Sequence, residues 1–89
     1  MWLDEALRLA RLAAKRDEVP VGAVVVNHEI IGRGFNKREK TNDPLAHAEM
    51  IALSHAAKKL GSWRLDGCIL VVTLEPCLMC LAACQQARI

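Results

Sequence analysis

What most restricts the fold of this chain is a pair of short apolar runs with a hairpin partner beside the first and a fully punctuated helix before the second. "VGAVVVN" (21–27) and "CILVVTL" (68–74) are apolar almost throughout, as strands are when both of their faces are covered. "EIIGRGF" (29–35) follows the first run after a turn near Asn27-His28 and reads as its hairpin partner. The segment "DPLAHAEMIALSHAAKKLG" (43–61) then reads as a helix. Asp43 suits its N-cap, and Pro44 suits the first helical position, where a missing N–H costs nothing. Gly61 is a natural stop, and Lys58 and Lys59 lie near the negative end of the dipole. Residues 46, 50, 53, 57 and 60 supply its apolar stripe. A strand reached from a hairpin through such a helix implies a right-handed crossover back onto the same sheet.

Two more helices complete the order α-β-β-α-β-α. Residues 2–16 are amphipathic, with Leu3, Leu7, Ala10 and Ala14 as the stripe, widened by Ala6, Leu9 and Ala13, before Pro20 prevents continuation. Pro76 opens a helix over 77–88 that is apolar nearly all round and is therefore expected to be buried on most sides. Residues 36–42 read as a polar loop. The expectation is an α/β domain spanning 1–89, with helices on both faces of the sheet. At 89 residues only one small domain fits, and its core is marginal.

Composition excludes several classes. No stretch approaches the roughly 20 uninterrupted apolar residues of a membrane span. "MWLDEALRLA" carries acids where a secretory signal carries bases, so a cytoplasmic location is expected. In a reducing compartment the four cysteines are ligands or buried thiols rather than disulfides. The formal net charge of +2 does not by itself indicate a nucleic-acid partner. Lys37, Arg38 and Lys40 cluster locally, and on charge alone they read as a solvated loop.

The chemistry concentrates at two helix starts. "PCLMC" (76–80) alone fits a redox pair, a zinc site or a structural thiol pair equally well, because a helix N-terminus favours a thiolate in the first two cases. His47 lies in the first turns of the preceding helix, as Cys77 and Cys80 do in theirs. Helices that follow parallel strands begin at the strands' C-terminal ends, where open α/β sheets bind ligands. The two starts can therefore converge to present one imidazole and two thiolates, and three protein ligands with an open fourth position is the pattern of catalytic zinc. Glu49 is turned about 200° around the helix from His47, which takes it out of the ligand set but leaves it able to lean over a metal-activated water as a general base.

With these residues in place the sequence resembles the cytidine deaminase superfamily of zinc deaminases, through "HAE" (47–49) followed by "PCLMC". "EVPVGAVVV", "GFN", "NDPLAHAE", "SWRL" and "VVTLEPCLMC" extend the resemblance along essentially the whole chain, toward the family's bacterial tRNA adenosine deaminases. The resemblance implies a three-layer cytidine-deaminase-like sandwich with a mixed sheet. It implies one Zn2+ per chain on His47, Cys77 and Cys80, and Glu49 as proton shuttle. The reaction implied is hydrolysis of adenosine to inosine at the wobble position of a tRNA anticodon loop, by a homodimer. Asn36 and Ala48 take the family's substrate-binding positions, although Asn36 reads equally as a turn residue. Lys37, Arg38 and Lys40 become candidate phosphate contacts.

Other cysteines, histidines and tryptophans carry blander readings: Cys84 and Cys68 as packing, His28 and His55 without evident partners, and Trp2 and Trp63 as core anchors. A deaminase of a free base or nucleotide (guanine, cytosine, deoxycytidylate) shares the same ligands and is the nearest alternative. A non-catalytic zinc or redox module is the alternative from another class. It draws on the family's sheet having two further strands and a terminal helix, which are expected to be missing beyond "ARI" and to leave the third strand as an edge.

Overall fold

The computed structural model describes residues 2–74 and 77–89. The chain forms α1 (Trp2–Lys15), β1 (Gly22–Asn27), β2 (Glu29–Phe35), α2 (Arg38–Thr41), α3 (Ala48–Leu60), β3 (Ile69–Val72) and α4 (Leu78–Ala87). The strands make one sheet in the order β2-β1-β3. Both ladders are antiparallel, β1 with β2 and β1 with β3. The mixed character expected of the sheet is present only at a distance: β2 and β3 run the same way with β1 between them, so no ladder among the described residues is parallel. The crossover through α3 spans one strand. Among the described residues no helix is long and apolar enough to cross a membrane.

The sheet is covered on both faces, as its apolar central strand requires. Val24 and Val26 of β1 pack with Leu9 of α1 on one side. Ala23 and Val25 pack with Ala48, Ala52, Leu53 and Ala56 of α3 on the other. The helices sit unusually close because the strands carry glycine at the contact points. A Cβ on Gly22 would collide with the backbone of Ala6 and Ala10, and one on Gly34 with the backbone of Ala48 and Ala52. These close approaches correct the expected helix stripes. The face that α1 buries is Ala6, Leu9, Ala10 and Ala13, while Leu3 and Leu7 stay exposed. In α3 the buried face is Ala48, Glu49, Ala52, Leu53 and Ala56, and Leu60 is exposed. Large side chains cannot enter where backbones nearly touch, so small ones face the sheet.

Helix boundaries differ at two places. α3 begins four residues later than expected, because Asp43 caps a turn instead: its Oδ1 accepts the Leu45 N–H at 2.9 Å and its carbonyl the Ala46 N–H at 3.1 Å. The expected loop contains the short helix α2. Gly61 does end α3, at φ 71°. The expected opening of the last helix at Pro76 lies outside the described residues. Two further expectations fail. Trp2 and Trp63 are exposed, and α4 buries only Cys80 while Leu78 is 85% and Leu81 47% exposed. Helix α4 meets α3, with Ala83, Cys84 and Ala87 packed on the core, and Leu78, Leu81 and Ala82 face outward.

Candidate metal centre

His47 and Cys77 are the N-cap residues of α3 and α4, both with extended backbone at φ −78° and −76°. Each helix therefore aims its first side chain out of its positive end. The Cys77 and Cys80 sulfurs lie 3.7 Å apart, and each is 3.8 Å from His47 Nδ1. Both sulfurs are free thiols, far from the roughly 2.05 Å of a disulfide. A tetrahedral zinc with Zn–S bonds of about 2.3 Å and Zn–N bonds of about 2.0–2.1 Å requires S···S near 3.8 Å and S···N near 3.6 Å. The observed triangle fits those values closely. Among the described residues these three form the group able to hold a metal, and Glu49 stands outside it. A cavity of about 150 Å³ opens over the triangle, lined by Val19, Val21, Asn36, Arg38, His47, Glu49, Leu74 and Cys77.

The two thiols differ electrostatically. Cys77 is pulled below the ordinary thiol range, first by the backbone N–H of Cys80, which outweighs the opposing effect of burial, and further by the Cys80 thiol and the Met79 N–H. Cys80 is pushed up to about 12, first by burial, then by Cys77 and by the charge of Glu49. A bound cation reverses the penalty at Cys80, because metal ligation deprotonates a thiol outright. Cys84 is raised by burial and by Glu49, and Cys68 by burial and by Asp66. Both are half-buried or buried packing thiols, as the sequence suggested.

Glu49 is 4% exposed, within the first turn of α3 and on the wall of the cavity. Asn36 is 5% exposed, and its Oδ1 accepts the Ala48 N–H at 2.8 Å. That bond satisfies an orphan donor at the start of α3 from a residue at the end of β2, and so fixes where His47 and Glu49 point. Ala48 itself is fully buried behind the cavity. Arg38 reaches the cavity wall, Lys37 places its Nζ 4.9 Å from the centroid of the Phe35 ring, and Lys40 is exposed. His55 has a partner that its sequence position did not suggest, since its Nδ1 accepts the Arg33 N–H at 3.1 Å. Glu18 was also invisible in the sequence. It is 7% exposed and accepts the backbone N–H groups of Glu39 and Lys40 at 3.1 and 2.9 Å. A pattern of Glu before Val-Pro gives no sign of a bond some 20 residues away, and only tertiary structure reveals it.

An α/β fold presenting imidazole and two thiols at tetrahedral spacing beside a buried carboxylate defines a zinc-site protein with an open coordination position. The whole chain, residues 1–89, matches the description of the cytidine and deoxycytidylate deaminase zinc-binding region, and the chain belongs to that family. It is 48% identical over 90 residues to the tRNA-specific adenosine deaminase of Bacillus subtilis, covering 100% of this chain and 56% of that protein. It is 56% identical over 89 residues to tRNA(Ile)-lysidine synthase of Deinococcus radiodurans, covering 98% of this chain but 15% of that protein. A solved structure from studies of A-to-I editing by tRNA:A34 deaminases at the wobble position of transfer RNA superposes with TM-score 0.96 at 48% identity, over 99% of this chain and 68% of that one. Guanine deaminase from Bacillus subtilis superposes with TM-score 0.92 at 44% identity, over 98% of this chain and 57% of that one. The chain thus spans little more than half the length of the adenosine deaminase it resembles, and far less of the lysidine synthase.

Proposed function

We propose that this chain is the zinc-site part of a hydrolytic deaminase that converts adenosine to inosine at the wobble position of tRNA. One observation carries the reading: three ligand atoms lie at tetrahedral zinc spacing, and two of their residues, His47 and Cys77, line the same cavity as a buried Glu49 that stands outside the ligand group. Zinc, when bound by His47, Cys77 and Cys80, supplies Lewis acidity that makes a water nucleophilic near neutral pH. Glu49 takes one proton from that attacking water and delivers it to the ring nitrogen beside C6, then carries the remaining hydroxyl proton to the amino group, which leaves C6 as ammonia. Water enters and ammonia departs, so no further reactant is needed. Asn36 and Ala48 act as one unit, with Asn36 Oδ1 held by the Ala48 N–H and its amide NH2 left for the base. Lys37, Arg38 and Lys40 meet the RNA backbone.

The likeness to adenosine deaminases of tRNA supports the substrate. The likeness to guanine deaminase favours a second reading, turnover of a free purine at the same site. The test uses zinc-loaded protein with an anticodon hairpin bearing adenosine at the wobble position, and free guanine in parallel. Inosine in the hairpin with no guanine turnover is the expected result, and the reverse selects the second reading. Glu49→Ala is expected to keep its zinc and lose about 10²–10⁴-fold in rate. Near-wild-type turnover in zinc-replete Glu49→Ala protein would remove Glu49 from the chemistry.

Residues 1–89 act as one domain in this proposal, in the cytoplasm and as a homodimer. The exposed Leu78 and Leu81 on α4 support self-association. Sizing of the wild type against Leu78→Ser tests it, and equal monomeric profiles would argue against it.

A further inference from the structure

We infer that Glu18 is a positioning residue that caps α2 from a distance and thereby sets Arg38 over the site, so that it governs substrate binding rather than the chemistry. The inference rests on the proposed function only for what Arg38 meets.

α1 ends in a two-bond cap: the Asp17 N–H reaches the Ala14 carbonyl at 3.1 Å and the Glu18 N–H the Ala13 carbonyl at 3.0 Å, with Asp17 left-handed at φ 58°. The reversal throws Glu18 out of the helix line and inward. Its carboxylate is buried, yet it touches neither the ligand triangle nor the cavity wall.

Both of its oxygens are spent on α2. A helix leaves its first N–H groups without partners, and an N-cap side chain normally satisfies one of them. The N-cap of α2 is Lys37, which makes no side-chain cap bond, and α2 buries none of its residues. Glu18 supplies the missing acceptor twice, to Glu39 and to Lys40, and adds negative charge at the positive end of the helix. Arg38, the first residue of α2, lines the cavity together with Val19 and Val21. Those two valines follow Glu18 within three residues, so the same side chain joins both walls of the cavity mouth.

Hydrogen exchange on the zinc-loaded protein tests the capping directly. Glu18→Gln keeps the shape but gives one N–H of α2 no acceptor, and the Glu39 and Lys40 amides should exchange about ten-fold faster or more. Protection in α1 and α3 and the zinc content should not change. Lys37→Ser in the same background, which offers α2 a cap of its own, should restore part of the protection. Unchanged exchange at Glu39 and Lys40, or equal loss throughout the protein with loss of zinc, overturns the inference.

The consequence for binding is read with the wobble-adenosine hairpin. Glu18→Gln should raise KM several-fold with kcat within about two-fold, and Arg38→Ala should do the same. The double variant should be no worse than Arg38→Ala alone. Additive effects, or a fall in kcat at constant KM, overturn the link to Arg38. If the wild type ignores the hairpin altogether, the RNA reading fails, and the exchange result still decides whether Glu18 holds α2.

Discussion

The metal centre joins two helix starts that are anchored very differently. α3 presents His47 and Glu49 from a helix pressed against the glycines of β2, with Asn36 bonded into its first turn and five buried residues along its length. α4 presents Cys77 and Cys80 from a helix that buries only Cys80 and follows β3, an edge strand of the described sheet that is nowhere fully buried. One half of the site is organised by packing. The other half depends on what its thiols bind. An apolar helix is therefore not the same as a packed helix, and the half with the higher mean apolarity is the less buried of the two.

That contrast has its largest expected consequence in metal removal. Zinc binding supplies folding free energy, on the order of 10 kcal/mol in small zinc domains. Chelation should strip amide protection from α4 while α3 retains most of its own. Cys80→Ser should lose zinc and show the same pattern, whereas Cys84→Ser should bind zinc stoichiometrically by elemental analysis. Equal loss of protection in α3 and α4 on chelation would erase the distinction between the two halves, and loss of zinc in Cys84→Ser would break the ligand assignment.

A second test strikes the anchored half. Gly34→Ala places a Cβ against the Ala48 and Ala52 backbone, so α3 has to move away from β2. Overpacking of this kind costs about 1–3 kcal/mol, and here it should also weaken zinc binding, because His47 rides on α3. Leu81→Ala, on the outward face of α4, should stay within about 0.5 kcal/mol when the protein is denatured dilute enough to be monomeric. If Leu81→Ala proves the more damaging in the monomer, α4 is packed within its own chain and the contrast is wrong.

Much of this arrangement was readable from local pattern. β2 occupies the residues that its place after the turn near Asn27-His28 suggested, and His28 is indeed left-handed, at φ 65°. Gly61 ends α3 because only the local backbone matters there. The three ligands were legible because a helix start aims its first side chains in a known direction. What escaped depended on contacts far apart in sequence. Pro44 and Asp43 look like a helix start, but their hydrogen bonds close a turn. Periodicity puts Leu3, Leu7 and Ala14 in the stripe of α1 and Met50, Ala57 and Leu60 in that of α3, whereas the glycines of β1 and β2 turn the helices so that Ala6, Ala10, Ala48 and Ala52 meet the sheet. Glu18 and His55 act through backbone N–H groups some twenty residues away, and no periodicity announces such bonds.

The smallest expected effect concerns how the anchored half is tied at its outer edge. Arg33 of β2 gives its backbone N–H to His55 of α3 and its guanidinium Nε to Glu5 of α1 at 2.7 Å, so one residue joins the strand to helices on both faces. Glu5 also accepts two bonds from Arg8. Arg8 first and Arg33 second, against a partial offset from burial, hold the Glu5 carboxyl at about 2 instead of its ordinary 4.5. A carboxyl depressed on folding stabilises the fold fully above its unfolded pKa, and that contribution is lost as pH falls from about 4.5 through about 2. Both arginines are half exposed, at 53% and 44% of the side chain, so solvent screening limits the contribution to at most about 1 kcal/mol. Glu5→Gln should be less stable than the wild type by that much at pH 7 and in low salt, with the gap closing toward pH 2. Zinc is lost from both proteins in acid, so it cancels in the difference. The local signature should be faster exchange in the first turns of α1 and at the β2 edge, with α4 unaffected. A gap that persists unchanged at pH 2, or one that appears in α4, would mean that Glu5 stabilises by packing and that the two halves of the molecule are coupled through the sheet.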